Sequence, residues 1–188
     1  MVVKKIKNKK TKKNKVWQIG DLVDYIRFPH NKNPQEKIEY AGGRKFFSST
    51  HVGQKMEMIA LARESKHSNM PVQHWMFSWK EGEQPDREQI EELVDIFLEK
   101  MGLSEHQTIY GLHYDTDNYH LHIAVNRTNS ETGKVELPFN GLDIREAHKI
   151  VAIVEHRQGW ASEENSMYIM LENGELARRR ITKEVKPK

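Results

Sequence analysis

The densest chemistry in the sequence is the run His113-Tyr-Asp115-Thr-Asp117-Asn118-Tyr-His120-Leu-His122. Successive side chains alternate across a strand, so His120 and His122 point the same way, about 7 Å apart. Leu121, Ile123 and Val125 point to the opposite, apolar face, while Ala124 and Asn126 share the histidine face. This pattern predicts two imidazoles on a solvent-accessible side of a strand whose other side packs. His113 precedes them across the turn Asp115–Asn118, and a hairpin of that length brings it beside His120 or His122. Three imidazoles on one face form half an octahedron or three corners of a tetrahedron, leaving positions open for water or a phosphate oxygen. Asp115 and Asp117 are close enough in sequence to orient a histidine N–H, and either can accept a proton. The plain alternative is a set of surface histidines in a polar hairpin. Two at i and i+2 in an otherwise apolar strand, with a third one turn away, favour a metal, although the spacing does not name it.

The elements that must carry these residues follow from periodicity. Residues 108–114 and 119–126 read as two antiparallel strands, and 73–79 as a short aromatic one. Behind a capping box of Asp86 and Gln89, Ile90, Leu93, Val94, Phe97, Leu98 and Met101 recur at helical steps until Gly102. Residues 143–158 form a second amphipathic helix, and 51–65 suit another. Residues 20–27 read as a short helix with Asp21 as N-cap, stopped by Pro29. Residues 31–50 read as a loop with a Gly42-Gly43 turn, and 166–171 as a last strand before a turn at Asn173-Gly174. Mixed elements around a hairpin predict an α+β fold: an antiparallel sheet, the histidine pair on a central strand, flanked by helices.

Composition narrows the chemistry. The 188 residues contain no Cys, so disulfides and thiolate metal sites are excluded. No apolar run approaches the roughly 20 residues a span needs, so no membrane insertion is expected, and the default compartment is the cytoplasm. Eight of the 30 Lys and Arg fall within Lys4–Lys15, which leaves residues 16–188 with 22 bases against 27 acids. The chain therefore divides into a basic flexible arm (1–15), a mildly acidic folded body (16–175) and a basic tail (176–188). The arm suits phosphate contact through counterion release.

His113, Asp115, Asp117, Asn118, His120, His122 and Asn126 together resemble the three-histidine motif of conjugative relaxases. These are members of the HUH endonuclease superfamily, and the likeness is to the MobP type, its N-terminal relaxase domain. Asp21-Leu22-Val23-Asp24-Tyr25-Ile26 resembles the family's first motif, in which a helix presents a nucleophilic tyrosine. His74-Trp-Met-Phe-Ser78-Trp and Gly82-Glu83-Gln84-Pro85 resemble the strand and turn before its long helix. The resemblance covers roughly residues 16–160. The family's DNA-holding serine has no secure counterpart, since Ser65 and Ser68 both lie near the expected place.

The resemblance implies a metal-dependent, strand-specific DNA endonuclease and strand transferase. Tyr25 would attack the scissile phosphate at an origin of transfer, form a 5′-phosphotyrosine and later allow religation. His113, His120 and His122 would hold a divalent cation, Mg²⁺ or Mn²⁺ first. Asp115 would orient a histidine and Asp117 assist proton transfer. Asn126, Arg127, Arg44 and Lys45 are the candidate DNA contacts. The implied partners are single-stranded and nicked origin DNA, relaxosome accessory proteins and a type IV secretion coupling protein. The implied setting is the cytoplasm of a bacterial donor cell, with export covalently bound to DNA during plasmid or integrative-element transfer.

From the residues alone, Tyr25 has a competing reading as a half-buried packing residue, and Tyr40, placed in a loop, is the fallback nucleophile. Tyr110, Tyr114 and Tyr119 alternate away from the histidines. Trp75, Phe77 and Trp79 alternate like a buried face, so core outweighs base stacking. Three rivals remain. An HUH rolling-circle initiator carries its tyrosine after the histidines, where only Tyr168 follows. A metal-dependent nuclease using water forms no covalent intermediate. A DNA-binding module with a structural zinc would not cleave at all.

Overall fold

The computed structural model describes residues 1–7, 14–29, 37–65, 68, 71–114 and 118–179. Among the described residues, seven strands and four α-helices run in the order β1 (Val2–Ile6), α1 (Lys15–Arg27), β2 (Lys37–Arg44), α2 (His51–Glu64), β3 (Val72–Ser78), α3 (Arg87–Met101), β4 (Thr108–Tyr114), β5 (Tyr119–Asn126), α4 (Asp143–Gln158), β6 (Tyr168–Met170) and β7 (Leu176–Arg178). The first five strands form one antiparallel sheet in the order β1-β3-β5-β4-β2, and β6 with β7 form a separate hairpin. The α+β architecture is the one the periodicities predict, with the histidine pair on the central strand.

The sheet packs on both faces. On one, Trp75, Phe77, Leu121, Ile123 and Val125 meet Leu93, Val94 and Phe97 of α3 and Ile150 and Val154 of α4. On the other, Ile19, Val23 and Ile26 of α1 and Met58, Ile59 and Ala62 of α2 close over Val72, Ile109 and Ala124. Burial on both sides explains why β5 reads as nearly continuous apolar sequence between its histidines and the terminal Asn126. The capping box at α3 forms as expected: the Asp86 carboxylate accepts from the Gln89 N–H at 2.8 Å, and the Asp86 N–H donates to Gln89 Oε1 at 3.0 Å.

Four expectations are corrected. Residues 2–6 of the expected basic arm form the edge strand β1, because Val3 enters the core and Lys5 pairs with the buried carboxylate of Asp143; residues 8–13 lie outside the described residues. The N-cap of α1 is Asn14, which accepts from the Trp17 N–H at 3.1 Å, so the helix begins well before Asp21. The expected loop 31–50 contains β2. Gly42 there marks close approach rather than a turn, since a Cβ would lie 2.2 Å from the Tyr110 hydroxyl. Finally, Leu176–Arg178 of the expected tail pair with β6, and residues 180–188 lie outside the described residues.

Candidate active site

The register of the central hairpin decides how the histidines meet. His113 stands directly opposite His120 on the neighbouring strand, and His122 opposite Gly111. One ring nitrogen from each of His113, His120 and His122 lies within 4.8 Å of the others. The three are buried rather than solvent-accessible, His113 fully so, because α1 lies across β4 and β5. That corrects the exposed face expected from alternation alone.

Tyr25 projects from α1 into this cluster. Its hydroxyl lies 3.3 Å from Nε2 of His122, and its ring meets those of His113 and His122 edge-on at 5.3 and 5.2 Å. Two features seat the helix. His113 donates from Nε2 to the carbonyl of Ile26 at 2.9 Å. Gly111 lets that carbonyl come close, as a Cβ there would lie 2.4 Å from it. Asp24, one residue before the tyrosine, ties α1 to α2 through Lys55 at 2.7 Å and His51 at 3.1 Å.

His74 on β3 is the site residue that sequence reasoning missed. Its Nε2 lies 2.8 Å from Nδ1 of His122, with both rings buried. Burial, then the nearby His113, pushes His74 down to about 4. Burial, then His74, His113 and His120, pushes His122 well below the ordinary imidazole range. Neutral rings keep the lone pairs a cation needs, and a ring held at one nitrogen offers the other. The donor set therefore fits a divalent ion: three close imidazoles, with His122 held at Nδ1 and His113 at Nε2 by protein partners. The sequence places His74 in a short strand that resembles the family's, but its pairing with His122 needs the register.

The remaining expected site residues either lie outside the described residues or are committed to partners within the protein. Asp115 and Asp117 lie outside the described residues. Asn126 donates to the Met58 carbonyl at 3.2 Å and Gln107 Oε1 at 3.4 Å and accepts from the Thr128 N–H at 3.1 Å, so its amide joins α2 to β5. Arg127 is buried and donates to the Glu136 carbonyl at 2.8 Å. Arg44 is not in a loop but ends β2 and pairs with Glu91 and Asp95, while Lys45, just past the strand, pairs with Glu105. Arg44 also stands opposite Thr108, about 17 Å along β4 from His113. Tyr40 is a β2 residue, and its hydroxyl donates to Glu91 against α3. Tyr168, the only tyrosine after the histidines, sits in β6 with its hydroxyl accepting from Arg145 Nε at 2.9 Å.

A family model described as relaxase, MobA/VirD2-like, nuclease domain, matches residues 25–160. The chain belongs to the relaxase family. It is 53% identical over 127 residues to protein MobA of Acidithiobacillus ferrooxidans, covering 68% of this chain and 31% of that protein. It is 26% identical over 140 residues to protein TraI of Escherichia coli, covering 74% of this chain and 18% of TraI. The chain thus spans under a third of the length of these curated relatives. In fold it is similar to the MobM relaxase domain, solved with manganese and with oriT DNA of plasmid pMV158. That match has a TM-score of 0.54 at 16% identity and covers 100% of this chain and 93% of that one. Among the described residues of this relaxase-family chain, no helix is long and apolar enough to cross a membrane.

Proposed function

We propose that this chain is the nicking and rejoining domain of a DNA relaxase, with Tyr25 as nucleophile and His113, His120 and His122 as the ligands of a divalent cation. The observation that carries this is the Tyr25 hydroxyl 3.3 Å from Nε2 of His122, inside a cluster of three buried imidazoles. A cation held by His113, His120 and His122 would supply Lewis acidity to the scissile phosphate. MobM, similar in fold, was solved with manganese, and Mg²⁺ or Mn²⁺ is the ion proposed here.

The chain's own residues do the rest. The sheet holds the three rings, and α1 holds the phenol against them, so nucleophile and phosphate meet with little orientational freedom left to lose. The Tyr25 oxygen bonds to phosphorus as the bond from phosphorus to the 3′ oxygen breaks. The phenol proton leaves to solvent, and the 3′ oxygen takes one up. The phosphotyrosine diester preserves one phosphate ester bond for the one cleaved, so the 3′ hydroxyl can reverse the step and reclose the strand. The proposed substrate is one strand of the transfer origin of a plasmid or integrative element. The proposed partners are relaxosome accessory proteins and a type IV coupling protein, in a donor cell.

The test is an intact-mass measurement. The protein is incubated with single-stranded DNA from its own element's transfer origin, with Mn²⁺ or with EDTA, and then denatured. A metal-dependent mass increase of one cleaved strand, absent in Tyr25→Phe, is expected. Cleavage without an adduct would instead indicate water attack and overturn the tyrosine mechanism.

A further inference from the structure

The two helices on the histidine face cover only part of the sheet. α1 packs on β4, β5 and β2, and α2 packs on β5. On β3 and β1 that face carries His74, Met76 and Ser78 beside Ile6, Lys4 and Val2, paired in that order. The orientation follows from their neighbours: Val3, Trp75 and Phe77 enter the opposite core, and Lys5 turns there to Asp143. Val2 and Lys4 are exposed, and Ile6, Met76 and Ser78 are half-buried.

This strip runs on from the triad. Met76 stands opposite His122, and Ser78 opposite His120. Lys4 lies one strand further out, opposite Met76. Two strand spacings put its backbone about 10 Å from that of His122, within side-chain reach of phosphates next to one held at the triad. Lys5 is committed to an ion pair, whereas Lys4, among the described residues, has no hydrogen bond or ion pair. An unpaired cation above half-buried apolar side chains is the chemistry that holds a single strand of nucleic acid: charge for the backbone, apolar surface for the bases.

We propose that Lys4, Ile6, Met76 and Ser78 form the floor along which the unpaired DNA strand beside the scissile phosphate runs, with Lys4 bonding a phosphate. This rests on the relaxase reading above, and it assigns DNA contact to β1 and β3 in place of Arg44, Lys45, Asn126 and Arg127.

The test uses the full chain in EDTA and a fluorescein-labelled single-stranded dT20, with anisotropy read across a salt series. Lys4→Gln is expected to weaken binding about 3- to 10-fold and to lower the log–log salt slope by about 0.7, the share of one single-strand phosphate contact. Met76→Glu, which is outside the basic N-terminal segment, is expected to weaken binding by about tenfold through like-charge repulsion of phosphates. Ser78→Glu replaces it if Met76→Glu lowers the melting temperature. Lys149→Gln, on α4 beyond the opposite face and paired with Glu146 at 2.8 Å, is the charge-matched control and should bind as the native chain does. The proposal is overturned if Lys4→Gln and Lys149→Gln behave alike, or if the glutamate variants bind normally. Normal adduct formation alongside either result would sink the floor and leave the nicking reading intact. Lys4- and Met76-dependent binding without an adduct would do the reverse.

Discussion

His113 donates from Nε2 to the carbonyl of Ile26, the residue after Tyr25, at 2.9 Å. One imidazole of the triad therefore grips the helix that carries the phenol. The strand beneath makes the grip possible, because Gly111 leaves that carbonyl room that a Cβ 2.4 Å away would remove. Triad and tyrosine are thus joined through a backbone atom, and the spacing between them depends on a missing side chain.

Gly111→Ala tests this joint. The clash is with backbone, so α1 must shift, and overpacking of this kind costs about 1–3 kcal/mol. The expected outcome is a lower melting temperature and an adduct yield reduced by at least about tenfold, since small misplacements of reacting groups are costly. Mn²⁺ affinity, measured by electron paramagnetic resonance, should change far less. An unchanged yield would show that the carbonyl contact does not position Tyr25.

Tyr25→Phe separates chemistry from packing. The ring contacts with His113 and His122 survive, and only the hydroxyl beside His122 is lost. The covalent adduct should disappear while stability falls by about 0.5–1.5 kcal/mol for each hydrogen bond the hydroxyl makes. Chemical denaturation and intact mass on the same preparation read both.

His74 is expected to act as a positioning residue for His122. His74→Ala should weaken Mn²⁺ binding by about 10- to 100-fold, the usual cost of losing a partner that orients a metal ligand. His74→Gln, which keeps a polar group capable of meeting Nδ1, should recover part of it. Titration of Mn²⁺ into each variant checks the order; equal losses for Ala and Gln would point to packing alone.

Removing the cation should abolish cleavage and leave the fold. Two apolar cores sandwich the sheet, and neither is built from the triad. In EDTA the circular dichroism spectrum should be retained and the melting temperature fall only by the free energy of ion binding. Unfolding on chelation would favour a structural zinc.

Glu91 provides a pH test away from the site. Burial pushes its carboxyl up, but hydrogen bonds from Tyr40, Arg44 and Tyr110 and the charge of Arg44 outweigh it and hold it below its ordinary value of 4.5. Its folded form thus binds a proton less readily than the unfolded chain. The stability it contributes is complete above about pH 4.5 and drains away as pH falls through the lowered value. Glu91→Gln should lower the melting temperature at neutral pH and flatten its decline in acid, as followed by thermal melts from pH 7 to pH 3.

Much of this protein is determined locally and is legible in the residues. The hairpin strands 108–114 and 119–126, the capped helix α3 and the helix 143–158 each carry a complete period of apolar positions, and they form with the expected bounds. The triad follows from strand alternation and a short turn, both properties of neighbouring residues. Tertiary structure decides what depends on partners distant in sequence. Val2–Ile6 has the composition of a solvated arm and becomes a strand only because β3 offers an edge. Lys37–Arg44 is extended because Tyr110 lies over Gly42. Alternation places the triad on one face, but only the docking of α1 buries it and brings Tyr25 to it. Asn126 and Arg44, polar residues near a motif or a glycine pair, find partners in α2 and α3 that no local pattern announces. Periodicity is written in the side chains themselves. Register, burial and the partner of a polar group arise when elements far apart in the chain meet.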